Sequence, residues 1–80
     1  MTIQVCFLPG YLCDERLFGT VMETLPPGFS PRYIPLPVED TVEAIAGSII
    51  ASGSVDGSVL VGLSMGGIVA LEIIRQVPER

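Results

Sequence analysis

A single serine stands between glycines in VLVGLSMGGIVALEI, residues 59–73, and its spacing is typical of a nucleophile. Gly62, Ser64 and Gly66 form the pattern G-x-S-x-G, with an apolar run before it and a helix-like run after it. In this context a strained turn presents the hydroxyl, and the flanking residues are small because strand and helix nearly collide. The helix N-terminus favours developing negative charge. The pattern predicts Ser64 as a nucleophile and the backbone N–H of Met65 as an oxyanion donor.

The chain contains no histidine to serve that serine as a base, so other interpretations of the turn stay open. Ser64 can simply cap the following helix. Gly62, Ser64 and Gly67 also match the register of the dinucleotide-binding pattern G-x-G-x-x-G, but a serine replaces the glycine that approaches pyrophosphate. A P-loop requires a lysine, and none lies near. The nucleophile is the favoured interpretation, and we expect no cofactor and no metal.

Composition restricts the classes of protein to which the chain can belong. Eighty residues make at most one small domain, yet 49% are hydrophobic, which is more apolar surface than such a domain easily hides. The formal charge of -5 argues against a nucleic-acid partner. The longest apolar stretch, residues 59–71, is too short to span a bilayer. We therefore expect neither nucleic acid nor membrane as a partner, and we expect part of a larger protein to be missing.

The compartment is predicted from the N-terminus and the cysteines. No basic residue precedes Arg16, so a secretory signal with a basic leading region is not supported. Cys6 and Cys13 lack a metal-binding spacing and are expected to be reduced thiols, which predicts the cytoplasm. Tyr11 either lines a substrate pocket or covers the end of the sheet. The acidic residues with cap or turn explanations are Asp14, Glu39, Asp40 and Asp56.

Strands and helices are predicted to alternate along the chain. We expect strands over residues 2–8, 31–37 and 58–63, and helices over residues 14–25, 39–53 and 64–77. The first and third strands are apolar at almost every position, as in fully buried parallel strands. Pro35 and Pro37 confine the second strand to an edge. Asp14 is the expected N-cap of the first helix, and Asp40 or Thr41 that of the second.

Alternation with short connections predicts an α/β fold of three layers, with a parallel sheet in β-α-β-α-β-α order. The first and third strands should be neighbours, with the second outside the first. Ligand sites in such sheets lie at the carboxyl ends of the strands, where the strand order reverses. The loops that meet there, residues 9–14 and 62–67, are both marked by glycine.

These residues resemble the α/β-hydrolases of the small esterase, lactonase and carboxylesterase branch, over nearly the whole chain. FLPGYLCDERLF, residues 7–18, looks like their first oxyanion loop, and residues 60–80 are similar to their elbow, buried helix and exit. The resemblance implies Ser64 as nucleophile, with the backbone N–H groups of Met65 and Tyr11 as the oxyanion hole. The implied elbow glycines are Gly62, Gly66 and Gly67.

Two departures from the family concern the loops. Pro9 stands where the family commonly has histidine, and IPLPVED replaces the usual aspartate-proline-glycine-histidine loop. The family's triad acid and histidine follow the elbow on later strands. The resemblance thus implies that residues 1–80 are the amino-terminal part of a single α/β-hydrolase domain whose remainder is missing.

The implied activity is hydrolysis of a small-molecule acyl substrate, an ester, lactone or thioester, through an acyl-enzyme. We expect negligible turnover from these 80 residues alone, because losing the base of a triad removes most of its catalysis. The alternative is a non-catalytic remnant that binds a partner. The third strand is expected to leave an open apolar edge, which predicts self-association through that edge.

Overall fold

A parallel sheet with helices on both faces organises the chain in a computed structural model that describes residues 2–10 and 15–79. The strands are β1 (Ile3–Leu8), β2 (Phe29–Tyr33) and β3 (Val59–Gly62). The helices are α1 (Gly19–Glu23), α2 (Val42–Ser52) and α3 (Met65–Gln76), with a 3₁₀ helix over Glu15–Phe18. The strand order is β2-β1-β3, and both pairs are parallel. The predicted α/β class and the adjacency of the first and third strands are confirmed.

β1 is the centre of the sheet, and its side chains alternate between two hydrophobic clusters. Cys6 and Leu8 are fully buried on the face that α2 and α3 cover. Val5 and Phe7 are buried on the opposite face. There the ring of Phe7 lies 5.2 Å from that of Phe18, which belongs to the 3₁₀ helix. The two-residue period of a strand therefore produces the three layers.

β2 is an edge strand, as predicted, but it begins two residues earlier and ends four residues earlier than predicted. Pro31 lies inside it, which is tolerated because one side of an edge strand needs no donor. The N–H of Ile34 still donates to the carbonyl of Phe7, at 2.9 Å. Pro35 has no N–H, so the ladder stops there.

The predicted first helix is wrong as one continuous element, because a 3₁₀ helix and the short α1 replace it. Gly19 lies at their junction, and glycine costs about 1 kcal/mol relative to alanine inside a helix. After α1, Pro26 and Pro27 prevent continuation. The expected N-cap, Asp14, lies outside the described residues.

The second and third helices form where predicted. The side chain of Thr41 accepts a hydrogen bond from the N–H of Ala44 at 3.0 Å, so Thr41 and not Asp40 caps α2. Gly53 ends α2 with a φ of 75°, which glycine adopts without strain. Within the described ranges, no helix has the length and the apolar character that crossing a bilayer requires.

β3 is not fully buried, and that prediction is wrong. Val59 is 49% exposed and Val61 37%, whereas Leu60 packs on the cluster beneath α3. Among the described residues β3 pairs only with β1, and α3 covers one of its faces. An apolar run shows that a strand is suited to burial, but its actual burial depends on neighbouring elements.

Candidate functional site

Ser64 lies in a strained turn between β3 and α3. Its φ is 54° and its ψ is -118°, and it is the one non-glycine residue with positive φ in the described part of the chain. Conformations of this kind cost a residue with a side chain about 1–3 kcal/mol. β3 ends at Gly62 and α3 begins at Met65, so the reversal takes place within two residues. The turn is therefore the sharp elbow that the G-x-S-x-G spacing predicts.

Backbone hydrogen bonds hold this turn against its strain. The N–H of Leu63 donates to the carbonyl of Leu8 at 3.1 Å, which ties the turn to the end of β1. The N–H of Gly66 donates to the carbonyl of Leu63 at 2.9 Å. The carbonyl of Ser64 accepts from the N–H of Ile68 at 3.2 Å and starts the helix. The serine is thus fixed from both of its flanking elements.

Gly62 and Gly66 are required by close backbone approaches. A Cβ on Gly62 would lie 2.5 Å from the carbonyl oxygen of Gly66 and 2.6 Å from the Cα of Gly67. Since real Cβ atoms essentially never come so close, the predicted near collision of strand and helix is present. Gly67 is not required in the same way, because a Cβ added there would lie 3.4 Å from the carbonyl oxygen of Gly62, at the limit of ordinary contact.

The approach at Gly66 involves a third element. A Cβ there would lie 2.5 Å from the carbonyl carbon of Leu8 and 2.5 Å from the oxygen of Pro9, and it would also collide with the oxygen of Leu8. Gly66 is therefore packed against the end of β1, which leads into the predicted oxyanion loop. Sequence reasoning missed this contact, because it joins residues far apart along the chain.

The side chain of Ser64 does not cap α3. It makes no capping hydrogen bond, and the residue is exposed. The simple capping interpretation is therefore wrong. Met65 is the first residue of α3, so its N–H has no carbonyl acceptor within the helix and can serve an oxyanion. The second predicted donor, Tyr11, lies outside the described residues, as does Cys13.

A cavity of about 460 Å³ opens beside this turn. It is lined by Pro9 and Gly10 after β1, by Tyr33 at the end of β2 and the segment 35–39 after it, by Ile45 of α2, and by Met65. We call it the proline-lined cavity, after Pro9, Pro35 and Pro37. The cavity was not predicted from the sequence, although the two prolines of the segment after β2 were a usable signal, since each proline ring fixes its backbone φ.

An ion pair between Glu72 and Arg75 lies on α3, two turns or more along the helix from Ser64. Nε of Arg75 donates to Oε1 of Glu72 at 2.9 Å, and the amide of Gln76 donates to Oε2 at 2.9 Å. The hydrogen bond from Arg75, followed by that from Gln76, lowers the pKa of Glu72 to about 2. The same pairing raises the pKa of Arg75. A carboxylate with so low a pKa is a poor base, so Glu72 is not a candidate base for Ser64.

The titratable side chains in the described ranges form no metal site. Among the residues with described positions, no group of three or more potential ligands lies together. The buried thiol of Cys6 donates to the hydroxyl of Ser58 at 3.3 Å and is a free cysteine, as predicted.

No protein-family profile, curated protein or solved structure matches this chain.

Proposed function

We propose that Ser64 is the nucleophile of a serine hydrolase of the α/β-hydrolase type, which cleaves a carboxylic ester, lactone or thioester. The observation that carries this proposal is the φ of 54° at an exposed serine. A glycine would adopt that φ without strain, and the serine side chain performs no capping. A reactive hydroxyl explains why a serine and not a glycine occupies this strained backbone position.

In the proposed reaction a histidine takes the proton of Ser64 while the serine oxygen attacks the substrate carbonyl carbon. The carbonyl oxygen becomes an oxyanion, which the N–H groups of Met65 and Tyr11 stabilise. The carbonyl then re-forms, and the alcohol or thiol leaves with the proton held by the histidine. Water hydrolyses the acyl-serine by the same steps and regenerates the hydroxyl.

The histidine of this mechanism is not among these 80 residues, since they contain none. We propose that residues 1–80 are the part of the hydrolase domain that bears the nucleophile. The base and the acid then belong to the part of the domain outside these 80 residues. On this proposal the 80 residues alone give negligible turnover. The buried free thiol of Cys6 supports a reducing compartment, and we propose the cytoplasm.

The proposal is tested on the protein as its native source produces it, with an affinity handle added at its amino terminus. This protein is treated with a fluorophosphonate probe, which labels serine nucleophiles. Trypsin cuts after Arg32 and Arg75, so the adduct should appear in the peptide between them, at Ser64. Ser64→Ala should abolish the adduct. Ser58→Ala is the matched control, because it removes another serine of the same peptide. Labelling that survives Ser64→Ala, or no labelling at all, would refute the nucleophile.

A second candidate function, binding through the open edge of β3, is favoured by the exposed apolar side chains around it. Val61 and Leu63 are 37% and 45% exposed, and Ile68 and Leu71 of α3 are 55% and 70% exposed. Edge strands that avoid pairing carry charges or prolines, and no charged residue or proline lies between Asp56 and Glu72.

Self-association through this edge is tested by sedimentation velocity over a range of concentrations. Val61→Lys should lower the association, because it places a charge on the open strand. Val38→Lys, at a fully exposed valine away from that strand, is the matched control and should leave association unchanged. A chain that stays monomeric throughout would exclude this function.

A further inference from the structure

The proline-lined cavity shares lining residues with the proposed oxyanion site. Met65 supplies the proposed oxyanion donor through its backbone, and it also lines the cavity. Pro9 and Gly10, which begin the proposed oxyanion loop, line the cavity as well. A carbonyl held at the N–H of Met65 is therefore adjacent to this space.

Most of the lining of the cavity is apolar, and the side chains in it that carry polar groups are Tyr33 and Glu39. Leu36, Ile45 and Met65 line it and are partly buried against the main hydrophobic cluster. Pro35 and Pro37 add apolar surface whose backbone φ is fixed by their rings, so this part of the wall is already formed before a ligand binds. Such a lining favours an aliphatic group, because binding removes apolar surface on both sides from water.

The charge among the described residues that line the cavity is negative. Glu39 is the charged side chain among the described lining residues, and its carboxylate accepts a hydrogen bond from the hydroxyl of Ser48 at 2.7 Å. No arginine or lysine belongs to the described lining. An anionic group would therefore be repelled by Glu39 and would find no cation to pair with.

We propose that the proline-lined cavity binds an uncharged aliphatic group of the substrate and discriminates against anionic ones. The inference rests on the proposed function, since it takes Ser64 and Met65 to hold the reacting carbonyl. It narrows the substrate class to esters, lactones or thioesters with a neutral aliphatic chain at this position.

The test follows the methyl signals of the methionines by NMR while hexanamide is added to the 80-residue chain. The signal of Met65 should shift saturably, with about millimolar affinity for so small a ligand. Met22 packs against the cluster on the opposite face of the sheet, so its signal should stay constant and serves as an internal control. Met65→Leu assigns the signal. Absence of a saturable shift, or equal shifts of both methyl groups, would overturn the inference.

Charge selectivity is tested with adipamate, which has the same chain length and ends in a carboxylate. Adipamate should bind at least about fivefold more weakly than hexanamide, because its charge approaches that of Glu39. Glu39→Lys should reverse this preference. Glu43→Lys makes the same charge change at an exposed α2 residue that does not line the cavity, and it should leave the preference unchanged. Equal effects of the two variants would contradict local charge selection.

The two proposals fail separately. Labelling of Ser64 in the native source without hexanamide binding would refute the cavity inference alone. Hexanamide binding at Met65 without any labelling of Ser64 would refute the hydrolase proposal, and with it the assignment of the bound group as part of an acyl substrate.

Discussion

Replacing Gly66 by alanine tests the packing of the elbow against the end of β1. The new Cβ would lie 2.5 Å from the carbonyl carbon of Leu8 and from the oxygen of Pro9. Ordinary contacts of a Cβ are 3.4–4 Å, so the start of α3 must move by about 1 Å. The obstructing atoms belong to the backbone, and no side-chain rotation can relieve the collision.

The displacement would also disturb the hydrophobic core. Val69 and Ile73 of α3 are fully buried against the cluster beneath it, so moving the helix weakens that packing. Overpacking typically costs 1–3 kcal/mol, and a collision with rigid backbone belongs at or above the upper end. We expect Gly66→Ala to lower the free energy of unfolding by about 3 kcal/mol or more. A domain of 80 residues has about 4–12 kcal/mol in total.

Urea unfolding followed by circular dichroism measures this change, and Gly47→Ala is the matched control. Gly47 lies in α2, and its Cβ would meet only the side chain of Gln76, at 4.0 Å. The control should therefore gain about 0.5–1 kcal/mol from higher helix propensity. If Gly66→Ala is as stable as Gly47→Ala, the close approach of α3 to β1 is refuted.

Three further predictions concern Ser64, the buried thiol and the ion pair. Ser64→Gly should stabilise the chain by about 1 kcal/mol, since glycine adopts its φ without strain, whereas Ser64→Ala should not; equal urea midpoints would contradict this. In a Cys13→Ser variant, Cys6 should react with a thiol reagent at least about 100-fold more slowly in the folded chain than in urea, because it is 0% exposed; fast reaction would contradict its burial. Glu72 should titrate near pH 2 by NMR and return toward 4.5 in Arg75→Gln. Because its pKa is lowered on folding, its contribution to stability is present above about pH 4.5 and is lost as the pH falls toward 2; an unchanged pKa in the variant would show that the pairing is not the cause.

Local signals in the sequence predicted the elements that depend on nearby residues. Thr41 and Gly53 delimit α2 through contacts within a few residues, and the sequence contains both signals. The boundaries of β2 were less predictable, because Pro31 is acceptable only at an edge and the edge is set by pairing with β1. The open edge of β3 was predicted, but the exposure of Val59 and Val61 was not, because an apolar run does not specify which elements cover the faces of its strand.

In the candidate site, too, features set by neighbouring residues were predicted and features set by distant residues were not. The elbow at Ser64 was predicted, because its glycines and flanking runs are consecutive in the sequence. The contact of Gly66 with Leu8 was not, because it joins residues far apart in the chain. The proline-lined cavity was also missed, since Ile45 and Met65 meet there only in the folded chain.

The central position of β1 affects how the chain folds during synthesis. β1 pairs with β2 along one edge and with β3 along the other, and Val5 faces both Pro31 and Val59. Residues 34–58 must be translated after β2 before β3 can emerge, which takes about one to five seconds at ribosomal rates. During this interval the most buried strand of the protein has one edge without a partner. The nascent chain is then most exposed to aggregation. Slow codons for residues 34–58 should therefore lower the yield of folded protein, because they lengthen this interval.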